Sequence, residues 1–104
     1  KEEVFQLANK LNRERKMTIV VAEHEVEVMA AFADRIILMN KGEIILNGKP
    51  EEVFSHLDKF EEIGLRVPQV TELTKNLEKA GKIKSLKQYP ITVNQFYDLI
   101  NKLI

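Results

Sequence analysis

Residues 18–48 read TIVVAEHEVEVMAAFADRIILMNKGEIILNG, and no other stretch restricts the fold as much. Ile19-Val20-Val21-Ala22 is an apolar run of the length and β-branched content of a strand buried on both faces. It stops at a polar cluster, Glu23-His24-Glu25. Val26, Met29, Ala30 and Ala33 then recur at helical spacing, and a second β-rich run follows at residues 36–39. Strand, crossover helix, strand is the pattern of a parallel sheet, which predicts an α/β fold. In such sheets ligands gather at the carboxyl ends of the strands. His24 falls there, so it is the first candidate site residue.

The segment before this stretch, residues 1–15, reads as a helix already under way, with Val4, Leu7, Ala8 and Leu11 on one face. Neither an initiator Met nor an N-cap residue precedes it, so the chain is expected to be a piece of something longer. Basic side chains at residues 13–16 suit the negative end of that helix.

Beyond residue 39 the signals are local. Asn40-Lys41-Gly42-Glu43 between two apolar runs predicts an antiparallel hairpin, with Gly42 taking a positive φ. Asn47-Gly48 ends the second strand. Pro50 is expected in a first helical turn, followed by Glu51 and Glu52, and Lys49 ahead of it is a poor N-cap. Val53, Phe54, Leu57, Phe60 and Ile63 continue an apolar stripe to Gly64. Pro68 starts a further helix with Val70, Leu73, Leu77 and Ala80 in phase, ended by Gly81. Residues 82–89 are basic and aperiodic. Thr92 and Gln95 form a capping box for a last helix carrying Val93, Phe96, Tyr97, Ile100 and Leu103 on one face. These signals divide the chain into an α/β part, residues 1–57, and a small helical tail, residues 58–104.

Composition narrows the functions. Lysine plus arginine equals aspartate plus glutamate at 16 each, which argues against bulk electrostatic binding to nucleic acid or an anionic membrane. The lysines at 79, 82, 84 and 87 have only Tyr89 as an aromatic neighbour, so a solvated connector is the better account of them. No apolar run approaches the roughly 20 residues of a membrane helix, so no direct membrane insertion is expected. Cysteine is absent, which suits a reducing compartment and excludes thiolate metal ligands. Glu23-His24-Glu25 lacks a second histidine one helical turn on, so no metal site is expected there. His56 sits among charges and reads as solvated, while Asp34-Arg35 reads as helix termination.

Several of these elements together resemble the ATP-binding subunits of ABC transporters. They are the apolar strand ending in His24, a helix closing with Ala33-Asp34-Arg35-Ile36, the hairpin around Gly42, and Gly48-x-Pro50-Glu51-Glu52-Val53. The pattern is similar to the last third of a P-loop NTPase domain of that type, from the switch-histidine loop onward. The tail is similar to one branch, the energy-coupling-factor importers of cobalt, nickel and vitamins. Its matching residues are Gly64-Leu65-x-Val67-Pro68-x-Val70-Thr71 and Leu77-x-x-Ala80-Gly81. Glu23 stands where many relatives have a small hydroxyl residue, and Lys49 where a Thr is usual.

The resemblance implies that His24 is the switch residue that senses the γ-phosphate of ATP and holds the attacking water, hence both its catalytic and its cofactor-binding residue. It implies ATP and Mg²⁺ in the intact protein. As partners it implies a second ATPase subunit and a membrane transport subunit, and as location the inner face of the cell membrane. No G-x-x-x-x-G-K-[ST] run occurs in the chain, nor a glutamine loop, signature motif or catalytic glutamate. The chain alone is therefore expected to be inactive. The alternative is a non-catalytic self-association or scaffold module acting through the helical tail. A strand at residues 18–22 with an open edge predicts pairing with a second chain, hence a dimer, with exchanged elements as one form of it.

Overall fold

The computed structural model describes residues 2–22 and 25–103. Eight elements follow in order among them: α1 (Glu2–Arg15), α2 (Val26–Phe32), β1 (Ile36–Asn40), β2 (Glu43–Gly48), α3 (Pro50–Phe54), α4 (Leu57–Glu62), α5 (Gln69–Lys79) and α6 (Val93–Leu103). The mixed helix-and-strand class is as expected.

The sheet is smaller than expected. Among the described residues the only strands are β1 and β2, which pair antiparallel with each other. Residues 18–22 form no ladder, so the expected parallel pairing of this run with residues 36–39 is not made. The reason is physical: a strand buried on both faces is held by its neighbours' backbone groups. Here β1 is paired with β2 along one edge only, no ladder reaches residues 18–22, and Val20 stands 91% exposed.

The hairpin forms where the Asn/Gly signal put it. Lys41 and Gly42 both have positive φ, 51° and 79°, the signature of a two-residue turn whose twist matches the flanking strands. One face of β1 is buried through Ile36 and Leu38; Ile37 and Met39 point outward. Leu38 opposes Leu46 and Met39 opposes Ile44, so Ile45 is the extra residue of a β-bulge.

α3 crosses the inner face of the hairpin. It starts with Pro50 after Lys49, which has extended backbone but supplies no side-chain cap bond. Val53 and Phe54 are buried, and the Phe54 and Phe60 rings lie 5.3 Å apart. With Ala30, Ile36, Leu38, Val67 and Ile91 they make one apolar cluster. α5 ends in a Schellman motif: Gly81 at φ 74°, with Lys82 N donating to Leu77 O and Gly81 N to Glu78 O. α4 closes with the same pair of bonds before Leu65.

Two amphipathic faces are set differently from their periodicity. On α5 the fully buried side chains are Thr71 and Thr74, while Leu73 is 46% exposed. Thr71 takes the inner position because its Oγ1 donates to Pro90 O of another segment at 2.7 Å; Thr74 is accommodated beside it by donating to Val70 O of its own helix at 2.6 Å. On α1 the inward contact is Phe5, stacked 6.2 Å from Phe32 of α2, and Val4 and Leu7 face out. The radius of gyration, 14.8 Å, exceeds the roughly 13 Å of a compact chain this long. Apolar surface on α1, residues 17–21, the outer hairpin face and α6 is correspondingly uncovered.

Candidate functional site

Glu23 and His24, the polar cluster on which the sequence reading centres, lie outside the described residues. What the structure describes is the frame around them. α2 begins two residues after His24, following Glu25 in extended backbone, and Met29 N closes its first turn on Glu25 O at 3.2 Å. Ala30 fixes α2 in the apolar cluster, with Val26, Met29 and Ala33 packed against it. The helix ends where Ala33-Asp34-Arg35 predicts. Ala33 turns extended, and Arg35 Nε donates to Asn47 Oδ1 at 2.8 Å, tying the helix exit to the end of β2. The Arg13–Asp34 pair, 3.9 Å apart and exposed, contributes little.

The best-formed polar constellation among the described residues lies elsewhere. Glu78 on α5 receives Leu86 N–H at 3.0 Å, the Tyr89 hydroxyl at 2.8 Å and Lys75 Nζ at 3.0 Å. Lys75 Nζ also lies 3.2 Å from the Tyr89 oxygen. The Tyr89 backbone N–H donates to Ser55 Oγ, and Ser55 donates in turn to Glu51 O on α3. The Leu86 amide, then the Tyr89 hydroxyl, then the Lys75 ammonium hold the Glu78 carboxyl at about 2. The Glu78 bond raises the Lys75 ammonium above its usual value, and burial followed by Glu78 raises the Tyr89 phenol.

So acidic a carboxyl, with its oxygens taken by three donors, is a weak proton acceptor near neutrality. The cluster is a fastener. It pins the 80–89 connector to α5 and, through Ser55, to α3. Sequence reasoning saw residues 82–89 only as a basic connector. The four lysines are indeed exposed, but Tyr89 is buried and anchors the segment. The signal available was a tyrosine followed by proline, next to a helix with an acid in its last turn.

His56 is exposed, at the N-cap of α4. An open groove of about 490 Å³ runs between α4 and α5. Asp58, Glu61 and Glu72 on its walls are matched by Arg66, Lys75 and Lys79, so it carries no preference of sign. The expected capping box of α6 forms in a shifted version. Thr92 Oγ1 accepts from Gln95 N at 3.2 Å, while the Gln95 side chain reaches back to Ile91 N rather than to the N-cap amide.

No family model matches the chain. Its curated relatives are ABC ATPases, and the chain corresponds to the C-terminal portion of that P-loop NTPase domain. They are, more narrowly, ATP-binding proteins of energy-coupling factor transporters, to whose C-terminal part this chain is homologous. Energy-coupling factor transporter ATP-binding protein EcfA2 of Clostridium perfringens is 38% identical over 104 residues, all of this chain and 36% of that protein. EcfA2 of Acetivibrio thermocellus is 35% identical over the same 104 residues, again 36% of that protein. EcfA1 of Clostridium perfringens is 44% identical over 81 residues, 78% of this chain and 28% of that protein. The chain thus spans about a third of the length of the relatives it matches. No helix among the described residues is long and apolar enough to cross a membrane.

Proposed function

We propose that this chain works as the C-terminal part of the ATP-hydrolysing subunit of an energy-coupling-factor importer, with His24 as its γ-phosphate switch. The observation that carries the reading is identity of 35–38% to such ATP-binding proteins over the whole chain. An imidazole at the end of the 18–22 run can donate a hydrogen bond to a phosphate oxygen and orient the attacking water. Phosphoryl transfer depends on such positioning and charge stabilisation more than on covalent chemistry by the protein. ATP with Mg²⁺ supplies the phosphoryl group and its charge neutralisation. Within residues 1–104 only His24 is assigned to it, since the sequence contains no phosphate-cradling loop.

In this reading residues 1–57 complete the nucleotide-binding domain and residues 58–104 form a tail. The tail presents Val93, Tyr97 and Leu103, each at least 49% exposed, and α6 has no buried residue among those described. That surface supports contact with a second ATPase subunit, and a membrane transport subunit would hold the pair at the inner face of the membrane. The same surface is what favours the second reading, a self-association module without catalysis.

The deciding experiment is His24→Ala in the full-length subunit. Hydrolysis is expected to fall by about a hundredfold or more while ATP affinity changes by no more than a few fold. Unchanged hydrolysis would remove His24 from the mechanism. Residues 1–104, tested alone by calorimetry with MgATP, are expected to bind no nucleotide tightly. Tight Mg²⁺-dependent binding would contradict their assignment as a partial domain.

A further inference from the structure

α5 has no cap of its own. Its N-cap residue is Pro68, which has no side-chain acceptor, and no side-chain cap bond closes its first turn locally. The amide of Gln69 is satisfied from 42 residues away: it donates to Glu27 Oε1 of α2 at 2.7 Å. A carboxylate at that place also meets the positive end of the α5 dipole, so the bond is charge-assisted. A shared apolar cluster backs it. Val67, two residues before Gln69, is buried in the same cluster as Ala30, one turn along α2 from Glu27. Pro68 between them is fully buried. The start of α5 is therefore bonded directly to α2 through Glu27, and the residue leading into it shares α2's apolar cluster.

We propose that Glu27 and Gln69 form a clasp through which the setting of α2 is coupled to the C-terminal helices. α2 is also the helix entered directly from Glu23 and His24. A change at that segment that rotates α2 moves Glu27 with it, and α5 must follow or lose the acceptor for its first amide. The clasp acts in both directions, as any coupling between two elements must. Its meaning for ATP hydrolysis rests on the switch reading of His24; the coupling itself does not.

The test is amide hydrogen exchange, read residue by residue by NMR on the full-length subunit without nucleotide. Glu27→Ala removes the acceptor and is expected to raise exchange at Thr71 and Glu72 about three- to tenfold. Glu27→Gln keeps an acceptor oxygen and is expected to retain most of the protection. Gln69→Pro removes the donor, at the cost of an exposed side chain, and leaves the helix able to form, since proline is tolerated in a first helical turn. It is expected to raise exchange at Met29 and Ala33, on the far side of the clasp. Changes confined to the mutated helix overturn the proposal. Should Gln69→Pro fail to fold, the Glu27→Ala result decides alone, and unaltered exchange at Thr71 and Glu72 overturns it. A silent His24→Ala would leave the clasp standing, and a silent clasp would leave the His24 reading standing.

Discussion

The Tyr89 hydroxyl donates to Glu78 Oε2 at 2.8 Å, and this bond joins the connector before α6 to the last turn of α5. Its partner carboxyl sits at about 2, against 4.5 for a free glutamate. The folded state therefore binds the proton less readily than the unfolded chain. The cluster's contribution to stability is complete above pH ~4.5 and is lost as pH falls toward 2. Acid unfolding followed by circular dichroism should show Tyr89→Phe with a shallower loss in this window, because the Glu78 carboxyl then moves up toward its ordinary value. An unchanged Glu78 titration by NMR in Tyr89→Phe would contradict this. At the alkaline end the sign reverses. Lys75 and Tyr89 are both raised, so their contribution is present below pH ~10 and is lost as pH rises past their folded values.

Thr71→Val keeps the shape of a fully buried side chain and removes the donor to Pro90 O. The carbonyl is left unsatisfied in the interior, and the expected cost is about 1–3 kcal/mol by urea denaturation. Leu73→Ala, on the opposite side of α5 and 46% exposed, is expected to cost under about 1 kcal/mol. The order is the reverse of what hydrophobicity alone predicts.

α3 begins without a side-chain cap at Lys49, although the backbone there is already extended as an N-cap requires. Lys49→Thr supplies the acceptor, and the expected gain is about 0.5–1 kcal/mol. In the turn of the hairpin, Gly42→Ala forces a Cβ into positive φ and is expected to cost about 1 kcal/mol. Lys41→Asn places there a residue that tolerates this conformation and is expected to stabilise by a few tenths of a kcal/mol. Thermal midpoints of the three variants check the signs.

Uncovered apolar surface predicts self-association of the isolated chain. Val20, Ile37, Met39 and Ile44 are each more than half exposed. Sedimentation velocity at high micromolar concentration is expected to show dimers or larger species, and Ile37→Lys with Ile44→Lys on the outer hairpin face is expected to lower the association. A clean monomer across that range would contradict the expectation.

The elements whose signals are local were legible in the sequence. The hairpin at Lys41–Gly42, the ends of α4 and α5 at their glycines, the first-turn Pro50 and the Thr92 cap all depend on residues within five positions of one another. The elements that depend on distant partners were not. Residues 18–22 have the composition of a buried strand, yet a ladder needs neighbours, and β1 and β2 satisfy only each other. The rotation of α5 was missed for a related reason. Periodicity ranks Leu73 above Thr71, but the carbonyl of Pro90, 19 residues on, decides which side faces in. The His24 motif with its flanking glutamates is read from the sequence alone, because Glu23 and His24 lie outside the described residues. The Glu78–Tyr89 fastener was not legible, because its members come from α5, the following connector and the end of α3.

The bond from Thr71 of α5 to Pro90 O has a mechanical consequence. A helix seated by leucines has its rotation set by shape alone, since dispersion contacts are not directional. A helix keyed by a hydroxyl to one particular carbonyl has a single rotational setting. Torque applied at its first turn is therefore delivered to its last turn and to the connector fastened there, rather than dissipated as slip.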